Sequence, residues 1–117
     1  YRTLRRILPG PYTCILPATR EVPKIIAQKR QQIGIRVPAA EIPRALAREL
    51  GRPLLATTAG PPGGEALQWP EDIARAYPQL AYVIDAGPGG VTPTTVVDLT
   101  GEEPVIVREG AGAIDVR

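Results

Sequence analysis

The chain has 117 residues, 44% of them hydrophobic, and a formal net charge of +2, which is enough length and apolar content for one domain with a core. It contains no His, Ser, Asn, Met or Phe, so neither a Ser-His-Asp nor a Cys-His nucleophile can be assembled, and a zinc site would have only Cys14 and carboxylates to draw on. So small a charge implies no nucleic-acid partner by itself, no apolar run is long enough to span a bilayer, and one cysteine allows no internal disulfide; a cytoplasmic chain without membrane contact is expected.

The opening "YRTLRRIL" lacks a starting methionine and carries apolar residues at Leu4, Ile7 and Leu8, so it reads as the end of an amphipathic helix, and the chain as a fragment or processed form. "PGP" breaks that helix, and "YTCILPA" (Tyr12 to Ala18), rich in β-branched and aromatic types, reads as a strand. "EVPKIIAQKRQ" reads as a short helix opened by Pro23, and "IGIRVP" (Ile33 to Pro38) as a second strand with Ile33, Ile35 and Val37 on one face and Arg36 on the other. "EIPRALAREL" is a predicted helix whose apolar side is Ile42, Leu46 and Leu50, with Gly51 where a C-terminal cap belongs.

"PLLATTA" (Pro53 to Ala59) reads as a third strand, followed by the irregular "GPPGGEALQW". "PEDIARAYPQL" is a helix started by Pro70 and ended by Pro78, and "AYVIDA", "TTVVDLT" and "PVIVRE" supply three strands in a row. Early strands that alternate with helices and later ones that do not give an α/β or α+β chain with a mixed sheet. The chain shows no internal repeat and no linker, and reads as a single domain over residues 1–117.

The loop in "VIDAGPGGVTPTTVVDLT" (Val83 to Thr100) invites comparison with phosphate-binding loops. A dinucleotide fingerprint needs a helix after its glycines, whereas "AGPGGVTPTT" leads into a strand, and a Walker loop needs a lysine that is absent here. A plain connection and a cleft wall both remain open. Arg36 and Arg108 interrupt apolar strands, Arg108 just before the glycine-rich "EGAG". A charge buried there without a partner would cost roughly 3 to 5 kcal/mol, so each needs an anionic ligand or an internal carboxylate such as Asp85 or Asp98. Thr13, Thr57, Thr58, Thr94 and Thr95 can each donate and accept hydrogen bonds to a polar ligand, although threonine also favours strands for its shape alone.

"PGPYTCILPATREVP", "KRQQIGIRVP", "PLLATTA", "DAGPGG", "PTTVVDLT" and "VIVREGAG", in this order and spacing, closely resemble the YrdC-like threonylcarbamoyl-AMP synthase family, and its YciO-like branch most of all. The resemblance implies a twisted, mixed and mostly parallel α/β sheet with flanking helices and a concave face, here incomplete at the N-terminus and covering the C-terminal two-thirds of the domain. It implies an adenylyl (nucleotidyl) transferase that joins L-threonine, bicarbonate and ATP, with Mg²⁺ on the triphosphate, into threonylcarbamoyl-AMP and pyrophosphate for modification of a tRNA adenosine. By the same resemblance, Thr13 and Thr94 would bind the threonine substrate or carbonate, and Thr58, Arg36 and Arg108 the nucleotide; no catalytic residue and no protein-held metal is assigned. The family's Lys-x-Arg motif is absent, its Ser-Ala-Asn reads Thr58-Ala59-Gly60, and the extra C-terminal domain of some members is missing, which implies that this stretch alone is inactive. The alternative is a YrdC-like module that binds tRNA, double-stranded RNA or a nucleotide without catalysis, for which Arg2, Arg5, Arg6 and Arg30 would supply a basic face.

Overall fold

The computed structural model describes residues 2–19, 23, 31–90 and 92–115. The chain divides into two compact units, one of residues 1–53 and 93–117 and one of residues 54–92. The first unit holds α1 (Arg2–Ile7), β1 (Tyr12–Pro17), β2 (Gln32–Ile35), α2 (Glu41–Leu50), β3 (Thr95–Asp98) and β4 (Val105–Arg108), and the second holds α3 (Pro70–Ala76). The strands form one sheet in the order β2-β1-β3-β4.

The sheet is mixed, as the sequence predicts: β1 pairs antiparallel with β2 and parallel with β3, and β3 pairs antiparallel with β4. Parallel pairing, expected to predominate, is confined among the described strands to the central pair. The connection from Leu99 to Pro104 explains the outer one, because a turn this short can join only antiparallel neighbours, whereas parallel strands need a long crossover. Such a crossover, residues 18–94, separates β1 from β3.

Alternation along the strands decides what each face carries. Tyr12 and Cys14 on β1 lie opposite Thr95 and Val97 on β3, and these four are buried, Cys14, Thr95 and Val97 completely. Ile7 joins them from α1, with Leu4, Leu8, Ile35, Leu99 and Ile106 packed around the cluster. Each fully buried aliphatic side chain contributes about 1.5 to 3 kcal/mol. Burial also pushes the Cys14 thiol above its usual pKa, because the thiolate would lose its hydration.

The one fully buried polar side chain among the described residues, Thr95, is satisfied twice. Its hydroxyl donates to the carbonyl of Gly112 at 2.7 Å and accepts from the amide of Gly110 at 3.0 Å. The Ala111 amide bonds the Pro93 carbonyl at 2.9 Å, and the Tyr12 hydroxyl donates to the carbonyl of Ala113 at 2.7 Å. The segment after β4 is thus tied along β1 and β3. Gly112 is required there, since a Cβ would stand 2.6 Å from the Tyr12 ring.

α2 has the predicted bounds, and Gly51 caps it in the left-handed region (φ 75°) with its amide on the Ala47 and Arg48 carbonyls. Pro70 opens α3, which stops at Ala76, two residues short of the predicted breaker Pro78. Ile42, Leu46 and Leu50, the predicted buried side of α2, are 42%, 47% and 50% exposed; the stripe exists but the described chain packs little against it. "PLLATTA" and "AYVIDA" form no ladder among the described residues, because their strand-like side chains find no neighbouring strand to pair with. The helix expected over residues 21–31 falls largely outside the described residues. No helix among the described residues is long and apolar enough to cross a membrane.

Thr95→Val keeps the shape of the buried side chain and removes its hydroxyl, leaving the Gly110 amide and Gly112 carbonyl without their partner. Urea unfolding is expected to show a loss of about 1 to 3 kcal/mol. An unchanged midpoint would mean that this buried hydroxyl does not fasten the segment.

Candidate functional site

The face of the sheet opposite the core carries Thr13 and Ile15 on β1, Gly34 on β2 and Val96 and Asp98 on β3. Arg108 joins them through an irregularity in β4. Val97 pairs with Ile106, but Val96 pairs with Arg108, so Val107 is left over between them. Strict alternation from Ile106, which packs on the core, would have turned Arg108 to the same side. A bulge adds one residue and re-aims the side chain that follows it, which places Arg108, an exposed residue, directly across from Val96. The cost of an arginine in the core, expected from its place on an apolar strand, therefore never arises.

Arg108 spends one edge of its guanidinium on Thr94, the residue before β3. Nε and Nη2 donate to the Thr94 carbonyl at 3.1 and 2.8 Å, and Nη2 also reaches Thr94 Oγ1 at 3.1 Å. Thr94 Oγ1 lies 2.6 Å from Thr13 Oγ1, a hydroxyl pair brought together from positions 81 residues apart. The donor count of this pair is fixed by chemistry. Arginine only donates, so Thr94 Oγ1 accepts from Nη2; the two hydroxyls have two protons, and one is used between them. Whichever hydroxyl donates, one O–H is left for an acceptor outside the cluster, and its neighbouring guanidinium polarises it. The paired threonines thus face opposite ways, Thr94 to this cluster and Thr95 into the core.

Arg36 follows β2 directly. Ile35 pairs with Cys14 and packs on the core, so Arg36 is the first residue beyond the ladder; the Gly10 amide bonds the Val37 carbonyl at 2.9 Å, two positions off the register of that ladder. Arg36 is exposed. Gly34, two residues earlier, leaves the flank of Thr13 uncovered: a Cβ there would stand 3.1 Å from Thr13 Cγ2. A glycine inside a strand often marks close approach by another group. Sequence reasoning did not single out Gly34, for which the lone glycine between two isoleucines was the available signal, and it offered Thr95 to a polar ligand, whereas that hydroxyl is buried and spent on Gly110 and Gly112.

Thr58 belongs to the unit of residues 54–92, on an exposed stretch without regular structure; Thr57, its neighbour, is likewise exposed. In the same unit two amides of the glycine loop are already used within the fold rather than free for a phosphate. The Gly87 amide bonds Asp85 Oδ1 at 3.0 Å, with Gly87 at φ 89°, and the Gly89 amide bonds the Gln68 carbonyl at 2.7 Å. Neither arginine is neutralised by the carboxylates considered for it. Asp85 closes its own turn, and Asp98 Oδ1 accepts from the Thr100 amide and hydroxyl at 2.9 and 2.6 Å. Those bonds from Thr100 hold the Asp98 carboxyl below its usual pKa. Arg75 pairs with Asp72 at 3.5 Å within α3.

No group of three His, Cys, Asp or Glu that could hold a metal occurs among the described residues. The cluster itself offers hydroxyls and guanidinium groups, a donor set suited to anions and unsuited to holding Mg²⁺, which takes oxygen ligands and carboxylates. The arrangement can therefore present one polarised O–H and two arginines to an anionic or oxygen-rich ligand.

The sequence model of the Sua5/YciO/YrdC family, described as Telomere recombination, matches residues 1–110. The YciO protein of Escherichia coli is 44% identical over 117 residues, which covers 97% of this chain and 57% of that protein. A threonylcarbamoyl-AMP synthase of Chromobacterium violaceum is 34% identical over 100 residues, covering 82% and 50%. Among solved structures, that of Escherichia coli YciO matches with a TM-score of 0.83 at 40% identity over 98% of this chain and 57% of the other. Pyrococcus abyssi Sua5 complexed with L-threonine matches with a TM-score of 0.83 at 32% identity over 93% and 33%. The chain spans about half the length of the curated relatives it matches. With the family's sequence pattern running along residues 1–110 and its sheet recovered in the structure, the chain belongs to the Sua5/YciO/YrdC family.

Proposed function

We propose that this domain takes part in forming threonylcarbamoyl-AMP and pyrophosphate from L-threonine, bicarbonate and ATP, a nucleotidyl transfer in the cytoplasm that serves tRNA modification. The observation that carries the reading is the Thr13–Thr94 hydroxyl pair braced by Arg108, supported by relatives named threonylcarbamoyl-AMP synthase and by the relative solved with L-threonine.

In this reading the pair's free O–H donates to an oxygen of L-threonine or of the N-carboxylate formed from it and bicarbonate. The uncovered flank over Gly34 leaves room for that ligand. The N-carboxylate oxygen attacks the α-phosphorus of ATP, the bond to the bridging oxygen breaks, and pyrophosphate leaves with that electron pair. Attack brings two anions together, so positive charge at the site lowers the barrier most where charge concentrates. Arg36 and Arg108 supply it. Mg²⁺ would arrive on the triphosphate, since the cluster has no acidic donors for it.

Thr94→Val in the full-length protein deletes the hydroxyl and keeps the branched shape. A hydrogen bond to a charged group is worth about 1.5 to 3 kcal/mol, so the KM for L-threonine is expected to rise about 10- to 100-fold, well beyond any rise in that for ATP. Pyrophosphate release against each substrate, with thermal unfolding as control, measures it. Equal losses for both substrates, or a collapse in melting temperature, would make Thr94 a sheet residue only.

Arg36→Ala is expected to have the complementary effect. Calorimetric titration should show ATP binding weakened about tenfold, near the lower end for an arginine–phosphate bond because the side chain is exposed, with L-threonine binding unchanged. Unaltered ATP affinity would remove Arg36 from the nucleotide site.

A further inference from the structure

We infer that Arg108 is a positioning residue that couples the two ends of the site, so that an anion bound to it and an amino acid bound at Thr13 and Thr94 strengthen each other. The inference rests on the proposed function and goes beyond a simple nucleotide contact.

A guanidinium is flat and has five N–H donors arranged along two usable edges. The Nε/Nη2 edge of Arg108 is taken by the Thr94 carbonyl and hydroxyl. Its Nη1 has no hydrogen bond among the described residues, and the side chain is exposed. Nη1 is therefore available to a phosphate, and a ligand there adds to the Thr94 contacts without displacing them. Because the group is rigid, fixing one edge fixes the plane of the other. A phosphate on the outer edge holds the inner edge on Thr94, which holds Thr94 Oγ1 against Thr13 Oγ1 and keeps the pair's free O–H in place.

Two further features make the path between the ends short and stiff. The bulge at Val107 sets Arg108 directly across from Val96. The backbone on both sides is anchored, because the Thr95 hydroxyl binds Gly110 and Gly112 just after Arg108 while Thr95 itself follows Thr94. Arg108 can thus reorient only at its side chain, and the two ligands act on that one element. The coupling must also be reciprocal: whatever factor ATP adds to threonine affinity, threonine adds to ATP affinity.

The test is calorimetric titration of the full-length protein with L-threonine, with and without saturating ATP, and the reverse, in buffer freed of bicarbonate so that no turnover occurs. In the wild type, ATP is expected to tighten threonine binding about fivefold or more, the lower end of ordinary coupling, with the same factor in reverse. Arg108→Lys keeps the charge and loses the planar fork; both ligands should still bind, but the factor should fall to about one. Thr94→Val should abolish the factor as well, and Arg108→Lys added to it should cause no further loss. A role in stability alone would weaken both ligands and leave their ratio unchanged. Coupling that survives in Arg108→Lys, or a factor of one in a wild type that binds threonine, would overturn the inference and leave the proposed function standing. A wild type that binds no L-threonine would overturn both.

Discussion

The parallel pairing of β1 with β3 is the constraint on which the rest of the structure depends. It sets Cys14 against Val97 and Tyr12 against Thr95, and so forms the only fully buried apolar contact surface of the sheet among the described residues. The same register carries Thr13 and Thr94 to one place on the opposite face, although they are 81 residues apart. Core and candidate site are the two sides of one strand pair. A one-residue slip would exchange them, turning threonine hydroxyls into the core and the core side chains outward.

The dipeptide Thr94-Thr95 shows how closely these roles are joined. One hydroxyl is spent entirely inside the fold, on Gly110 and Gly112. The other is shared between Arg108 and Thr13 on the outer face. Arg108 reaches that face because one extra residue in β4 reverses the alternation. The segment after it is held by Tyr12 and Thr95 on the inner side. The candidate binding groups on the outer face are thus positioned by hydrogen bonds made in the core.

Much of this was legible in the sequence where the cause is local. Periodicity and Gly51 gave the bounds of α2, and β-branched runs gave β1, β3 and β4; the shared motifs pointed to Thr13 and Thr94 for one ligand and to Arg108, with Thr58 and Arg36, for another, and did not show that Thr13, Thr94 and Arg108 meet. What was not legible depends on pairing between distant strands. Strand-like "PLLATTA" and "AYVIDA" have the right side chains but no ladder among the described residues, and propensity alone does not supply a neighbour. The apolar stripe of α2 likewise predicts a buried face only if something packs against it, and Ile42, Leu46 and Leu50 remain largely exposed. A bulge depends on which residues two strands leave unpaired, so the turning of Arg108 away from the core could not be read from β4 alone.

The Thr13–Thr94 pair, with its one free O–H, is the proposed seat of an amino acid substrate. A crystal structure of the full-length protein grown with L-threonine tests this most directly. It should show an oxygen of the ligand within hydrogen-bond distance of Thr13 Oγ1 or Thr94 Oγ1, over the open flank at Gly34, with Arg108 still on the Thr94 carbonyl. L-threonine bound elsewhere, with this hydroxyl pair untouched, would contradict it.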